Sequence, residues 1–212
     1  FYQDFESANS VTDYINNIPN TNGEFNGIST SRNNLATTIN NGTLQFTRTG
    51  RASIFAFRNF NFNTNPNFVQ LKFDFEMSNF QTGTQEPIFS IFLGNNFSSA
   101  SFGSNSTFAS RFGIQSTGSG SNFKISTIDN IGGAPSFGDF SGKQSIIFVV
   151  NNSGVSKSYM APNGNTNIID SGKMDVWVGT FLGINGFSLK NTVSPVADIS
   201  GFKIQATSAS GQ

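Results

Sequence analysis

Two carboxylates, Asp74 and Glu76, lie two residues apart in a stretch where apolar and polar residues alternate, residues 67–77. Residues i and i+2 of a strand share one face and lie about 7 Å apart. Glycosidases hold their two carboxyl groups at comparable distances, so this pair is a candidate acid and base. Lys72 shares the same face, however, and the solvent-facing side of an ordinary sheet shows the same alternation. We favour a solvent-facing side and keep a catalytic pair as the alternative.

Lys157 and Tyr159 form a second candidate pair, in the sequence VSKSYM at 155–160. Polysaccharide lyases use Tyr, Lys or Arg side chains as base and acid, which makes a lyase a further alternative. A polar turn between two strands would contain the same residue types without any chemistry. The pair therefore supports an enzyme less well than the two carboxylates do.

The composition of the 212 residues argues against most enzyme and nucleic-acid functions. They contain no His and no Cys, which excludes Ser–His and Cys–His nucleophile pairs, disulfides and thiolate metal sites from this sequence. Twelve basic and twelve acidic residues cancel, so we expect no nucleic-acid partner. The longest apolar runs, such as residues 146–150, fall far short of the roughly 20 residues of a membrane helix. We therefore expect no enzyme, no membrane span and no remaining signal peptide.

Short segments with strand-like alternation recur along the chain, separated by Gly, Asn, Ser and Pro clusters typical of turns. The segments are 43–49, 52–58, 67–77, 87–93, 108–115, 122–128, 144–151, 173–179 and 199–206. Many short strands without helical segments between them indicate an antiparallel β-sandwich or barrel, and 25 Phe supply its core. We predict a single all-β domain over residues 1–212, with a long polar loop at about 8–42.

The first seven residues, FYQDFES, would place Asp4 and Glu6 together on one face of an opening strand. A carboxylate on a core-facing position costs several kcal/mol unless something pairs with it. These two acids therefore need either solvent or a positively charged partner.

Both ends of the chain and its last third resemble a known family. FYQDFES is similar to the first strand, and ADISGFKI at 197–204 to the closing strand, of jelly-roll modules in secreted multidomain proteins of the Bacteroidota. The region between 145 and 180 resembles concanavalin-like and laminin-G-like sandwiches, in which a strand, a hairpin with a polar turn and a Trp-bearing strand follow one another. The resemblance implies a jelly-roll β-sandwich whose first and last strands pair.

In such modules, acids near the ends of these strands often hold a structural calcium ion. The resemblance thus makes Asp4 or Glu6, together with Asp198, candidate Ca²⁺ ligands, with backbone carbonyls completing the shell. The alternative, which we favour, is that Asp4 and Glu6 face solvent or pair with Lys203 on the adjoining strand.

Sugar binding is the best-supported chemistry for the last third of the chain. Glycan sites present an aromatic face to a sugar ring and use amides and carboxylates for its hydroxyls. The candidate ligand-binding residues are Trp177, Tyr159, Asn151, Asn152 and Asp175, with Asn163 nearby. Trp177 falls on the same side of its strand as Asp175, which is compatible with an outward position. The alternative, which we favour, is that Trp177 fills the core and that the Asn residues only build turns.

We conclude from the sequence that the chain is a non-catalytic β-sandwich module, secreted or displayed on a bacterial surface, that binds a polysaccharide or acts in adhesion. The alternative is a self-associating structural subunit of a surface filament or sheath. Low charge and a Phe-Asn run, which contains Phe57, Phe60, Phe62 and Phe68, favour contacts with neighbouring domains or with copies of the chain.

Overall fold

The computed structural model describes residues 1–18, 23–50, 52–59, 66–78, 87–99, 108–118, 120–128, 135–190 and 199–206. One 3₁₀ helix, Val11–Tyr14, precedes the strands. The strands are β1 (Gly27–Ile28), β2 (Leu35–Asn40), β3 (Thr43–Arg48), β4 (Ile54–Asn59), β5 (Phe68–Phe75), β6 (Pro87–Gly94), β7 (Phe108–Ser116), β8 (Phe123–Thr127), β9 (Ser136–Phe140), β10 (Gln144–Asn151), β11 (Lys157–Met160), β12 (Thr166–Ile169), β13 (Lys173–Val178), β14 (Phe181–Ser188) and β15 (Gly201–Ala206). The protein is all-β, as the sequence predicts.

Two antiparallel sheets enclose the main core. The seven-stranded sheet has the order β1-β4-β15-β6-β7-β8-β9, and the four-stranded sheet has the order β14-β13-β10-β5. Their facing side chains form one apolar cluster, in which Phe112 of the first sheet packs edge-on against Phe148 of the second with ring centroids 5.1 Å apart. This is a β-sandwich, held together mainly by burial of aromatic and branched side chains.

The strand predictions from alternation are confirmed. All nine predicted segments coincide with observed strands to within two residues at each end. The segment 8–42 is more ordered than predicted, because β1 and β2 lie inside it. β2 forms a hairpin with β3 around Asn41 and Gly42, which both have positive φ angles, 48° and 68°. An Asn-Gly pair favours this tight turn.

The predicted opening strand is wrong, because residues 1–10 form no strand. Phe5 has a φ angle of 58°, and the Asp4 carboxylate accepts a hydrogen bond from the Glu6 N–H at 3.1 Å, so the chain turns here instead of extending. The expected pairing of first and last strands is also wrong for the described strands, since β15 lies between β4 and β6. The side chain of Phe1 nevertheless contacts β15, because its ring centroid lies 5.4 Å from that of Phe202.

Candidate functional site

Strand β13 sends its side chains alternately to two different cores. Met174, Val176 and Val178 enter the main core between the sheets. Asp175 and Trp177 lie on the opposite, outer face of the four-stranded sheet. They share one side of the strand, as the sequence predicts from period-two alternation.

The hairpin β11–β12 covers this outer face. Its inward side chains form a second apolar cluster with the sheet, composed of Val149, Tyr159, Ala161, Ile169 and Trp177, with Phe68, Ile147 and Leu182 packed around it. Trp177 is 3% exposed and Tyr159 is 4% exposed. The exposed aromatic platform expected for sugar binding is therefore not formed. Trp177 is buried, although in a second core rather than in the main one.

A hydrogen-bonded network joins the hairpin to the sheet. The Trp177 Nε1–H donates to the Tyr159 hydroxyl at 2.8 Å, and this hydroxyl donates to Asp175 Oδ2 at 2.6 Å. The other carboxylate oxygen, Oδ1, accepts the backbone N–H of Gly186 at 2.7 Å. Asp175 is 2% exposed, so its desolvation is offset by these charge-assisted bonds. The network fixes the hairpin on two strands, β13 and β14.

The environment of Tyr159 makes it a poor base. Burial, and then its hydrogen bond to the Asp175 carboxylate, raise the pKa of Tyr159 to about 12. A phenol with this pKa stays protonated at neutral pH and serves as a hydrogen-bond donor. Its hydroxyl points to Asp175 inside the cluster, so the geometry does not support the Lys157–Tyr159 lyase pair.

The two predicted asparagines are buried at the base of the hairpin. Asn151 is fully buried, and its Nδ2 donates to the backbone carbonyls of Val155 and Ile169 at 2.8 and 2.9 Å. Its Oδ1 accepts the N–H of Ser153 at 3.1 Å. Asn152 is 6% exposed. Asn151 therefore holds the turn between β10 and β11, and its buried amide stabilises the structure.

The outer side of the hairpin is its exposed apolar feature, which the sequence analysis missed. Met160 on β11 is 67% exposed and Ile168 on β12 is 72% exposed. Ser158 pairs with Ile168 and Met160 pairs with Thr166, so Met160 and Ile168 are diagonal neighbours on one face. The sequence contains a signal for this feature. Tyr159 and Met160 are adjacent apolar residues, as are Ile168 and Ile169, so each strand of the hairpin has an apolar residue on both of its faces.

The two carboxylates considered for a glycosidase lie on a solvent-exposed face. Asp74 forms an ion pair with Lys143 at 3.4 Å, and both side chains are more than half exposed. Glu76 is exposed beyond the end of β5. An exposed carboxylate that pairs with an exposed lysine is typical of the solvent-facing side of a sheet.

Only two of the three candidate calcium ligands lie in the described part of the chain. Asp4 and Glu6 are exposed, and Asp198 lies outside the described part of the chain. Within the described ranges, no cluster of three or more His, Cys, Asp or Glu side chains is present. The calcium site therefore stays a prediction.

Lys203 lies on the outer face of the seven-stranded sheet and is 1% exposed. Its Nζ donates to the carbonyl of Ser98 at 2.8 Å, and the register places Phe57 and Phe92 on either side of it. Burial lowers the pKa of Lys203 to about 8. Asn59 holds the segment that crosses Lys203, because its side-chain amide bonds to both the N–H and the carbonyl of Phe97 at 2.7 Å. Lys203, the partner that the sequence predicts for Asp4 and Glu6, is thus buried and bonded to Ser98, whereas the two acids are exposed.

Comparison with known proteins found no matching family model, no matching curated protein and no matching solved structure. Among the described residues, none of the helical segments has the length and apolar character required to cross a membrane.

Proposed function

We propose that the chain is a non-catalytic, extracellular adhesive β-sandwich module whose contact surface is the outer face of the β11–β12 hairpin. The observation that carries this proposal is that the inner face of the hairpin is buried and hydrogen-bonded to the sheet, whereas its outer face is apolar and exposed. Tyr159 is 4% exposed, whereas its neighbours in the same hairpin, Met160 and Ile168, are 67% and 72% exposed.

A clamped hairpin is suited to recognition because its exposed groups are already ordered. Asp175 and Trp177 fix Tyr159 from below, so Met160 loses little conformational freedom of its backbone when a partner binds. Apolar side chains held in this way mark contact sites when they adjoin one another. The arrangement supports adhesion by surface contact and needs no reacting group.

Glycan binding is the alternative form of the same function. The buried positions of Trp177 and Tyr159 give a sugar ring no aromatic face to stack on. A glycan would then contact the hairpin through its turn, where the Asn163 Oδ1 accepts the N–H of Asn165 at 3.0 Å. Adhesion through Met160 and Ile168 is the form that the geometry supports better.

The test is binding of the purified chain to immobilised surfaces, one coated with a panel of polysaccharides and one with the chain itself. The double variant Met160→Ser with Ile168→Ser should lose most of the binding while keeping the thermal unfolding midpoint. The matched control is Val155→Ser, which removes an apolar side chain that is 58% exposed outside the two strands. Equal binding by both variants would overturn the proposal, as would turnover of any polysaccharide by the wild type.

A further inference from the structure

The outer edges of the two main sheets each carry a feature that discourages pairing with another strand. β1 has two residues. β5 presents Lys72 and Asp74. β9 contains Asp139 and a register shift against β8, and β14 has register shifts against β13. Short strands, charges and bulges are the usual protections of sheet edges.

The hairpin has an edge without these protections. In the described part of the chain, β11 and β12 form a two-stranded sheet of their own and pair along their backbones with each other. β12, Thr166–Ile169, contains no charge, no Pro and no Gly, and three of its residues are β-branched. Such a strand readily accepts another strand at its open side.

The register shows which backbone groups face this open edge. The Ala161 N–H bonds to the Asn165 carbonyl at 2.9 Å, so the next pair, Met160 with Thr166, is a non-hydrogen-bonded pair. Because the two kinds of pair alternate, Thr166 and Ile168 direct their backbone N–H and C=O groups away from β11. Ile168, which is 72% exposed, thus presents its backbone groups at this edge together with an exposed apolar side chain.

From this geometry we infer that the hairpin binds a second copy of the chain, by antiparallel pairing of β12 with β12 about a two-fold axis at Asn167. Thr166 of each copy then lies opposite Ile168 of the other, and each of these two pairs exchanges two backbone hydrogen bonds. Thr166 and Ile168 flank Asn167 symmetrically, which makes the edge self-complementary.

The charges nearby allow this pairing. In the two-fold register, Asp170 lies opposite Gly164 of the second copy, so the acid faces no like charge there. The chain carries zero net charge, so copies do not repel each other at long range. The exposed apolar area of Met160 and Ile168 is far below the roughly 800 Å² per partner of a standard stable interface. The expected product is therefore a weak dimer that depends on concentration.

This inference rests on the proposed function only in using the same hairpin, and it is tested separately by sedimentation velocity over a wide concentration range. Wild type should show a monomer–dimer equilibrium. Ile168→Lys should weaken dimerisation by about tenfold or more, because a charged side chain at an open sheet edge opposes pairing with another strand. Val155→Lys, which changes an exposed apolar residue away from the edge, should leave it unchanged.

A cysteine cross-link checks the register. Residue 167 would face its own copy with Cα atoms about 4.5 Å apart, which is within disulfide range. The chain has no Cys of its own. Asn167→Cys should therefore form a disulfide-linked dimer under mild oxidation, whereas Asn163→Cys in the hairpin turn should not.

The outcomes separate the two proposals. A wild type that stays monomeric at all concentrations, or a dimer that Ile168→Lys leaves intact, overturns the self-pairing. If the monomeric chain still adheres to a polysaccharide surface through Met160 and Ile168, the adhesive function stands without it. A dimer that binds none of the polysaccharide surfaces overturns the function and leaves the pairing in place.

Discussion

The outer faces of the two sheets bury polar side chains in different ways. On the four-stranded sheet, Asp175 is covered by a hairpin that supplies a hydroxyl donor, and β14 supplies a backbone N–H. On the seven-stranded sheet, the Lys203 ammonium donates to the Ser98 carbonyl, while Gln205 Oε1 and Ser126 Oγ are buried with no hydrogen-bond partner in the described residues. On the first face the Asp175 carboxylate is satisfied, although Ser145 Oγ on the same side of β10 is buried with no hydrogen-bond partner among the described residues. The second keeps an electrostatic cost, visible in the lowered pKa of Lys203.

The two segments that cover these faces, the β11–β12 hairpin and the segment around Phe97, are also held in different ways. The hairpin is fixed by an apolar cluster together with a charged acceptor, so removing the acceptor should loosen it. The Phe97 segment is fixed by the neutral amide of Asn59 and by the Lys203 amine. A buried ammonium destabilises the folded state, so replacing Lys203 should lower the free energy of unfolding less than replacing Asp175.

The largest expected effect comes from Asp175→Ala. This change leaves the Tyr159 hydroxyl and the Gly186 N–H buried without their acceptor. Two buried donors left without partners should lower the free energy of unfolding by about 2–5 kcal/mol. Urea denaturation measures it, with Asp74→Ala on the exposed face as the control. Equal losses in both variants would contradict the network.

The pH dependence of stability should show whether the pKa of Lys203 is lowered in the folded chain. The folded chain releases the Lys203 proton near pH 8 and the unfolded chain near the ordinary value of 10.5. Between these values the unfolded state binds more protons, so the free energy of unfolding rises with pH, by a total on the order of 1–3 kcal/mol. Below pH 8 both states are protonated and the penalty is fully present.

Lys203→Met removes this contribution. Denaturation from pH 7 to 10.5 measures the unfolding free energies of both proteins. As the pH rises, the wild-type value should increase relative to that of the variant. A difference that stays flat over this range would show that Lys203 titrates normally in the folded chain.

Tyr159→Phe should have a smaller effect. It keeps the ring in the cluster and removes one hydroxyl, which takes a donor from Asp175 and the acceptor from the Trp177 N–H. We expect a loss of about 1–3 kcal/mol in calorimetric or urea unfolding. The double variant Tyr159→Phe with Trp177→Phe should lose less stability than the sum of the two single losses, because both changes act on one network.

The smallest effect belongs to the exposed ion pair. Asp74→Asn removes the charge that faces Lys143, and both side chains are more than half exposed. Such pairs contribute about 0–1 kcal/mol, and less at high salt. A loss well above this range, or the loss of an enzymatic activity, would return Asp74 to consideration as a functional carboxylate.

The sequence predicted the strands that have clean alternation and missed those that do not. β5 and β10 alternate or are continuously apolar, and both were located correctly. β14 was missed because Gly183 and Gly186 interrupt its pattern. Residues 1–7 have a strand-like pattern, yet the positive φ angle of Phe5 and the Asp4–Glu6 contact turn the chain. Local hydrogen bonding overrode periodicity there.

The site was predicted in part. Period-two alternation correctly placed Asp175 and Trp177 on one side of β13. It could not show that the β11–β12 hairpin covers that side, because this contact joins residues far apart in sequence, such as Tyr159 and Trp177. Alternation shows on which side of a strand a residue lies, but not what covers that side.

Fluorescence of the single Trp gives the most direct test that this face is closed and that recognition lies on the outside of the hairpin. Trp177 is the one Trp of the chain and is 3% exposed. Its emission should be blue-shifted, weakly quenched by acrylamide, and unchanged when a bound polysaccharide or a second copy occupies the hairpin. Red-shifted emission that is strongly quenched, and then protected by a polysaccharide, would contradict the account and restore Trp177 as a sugar-binding platform.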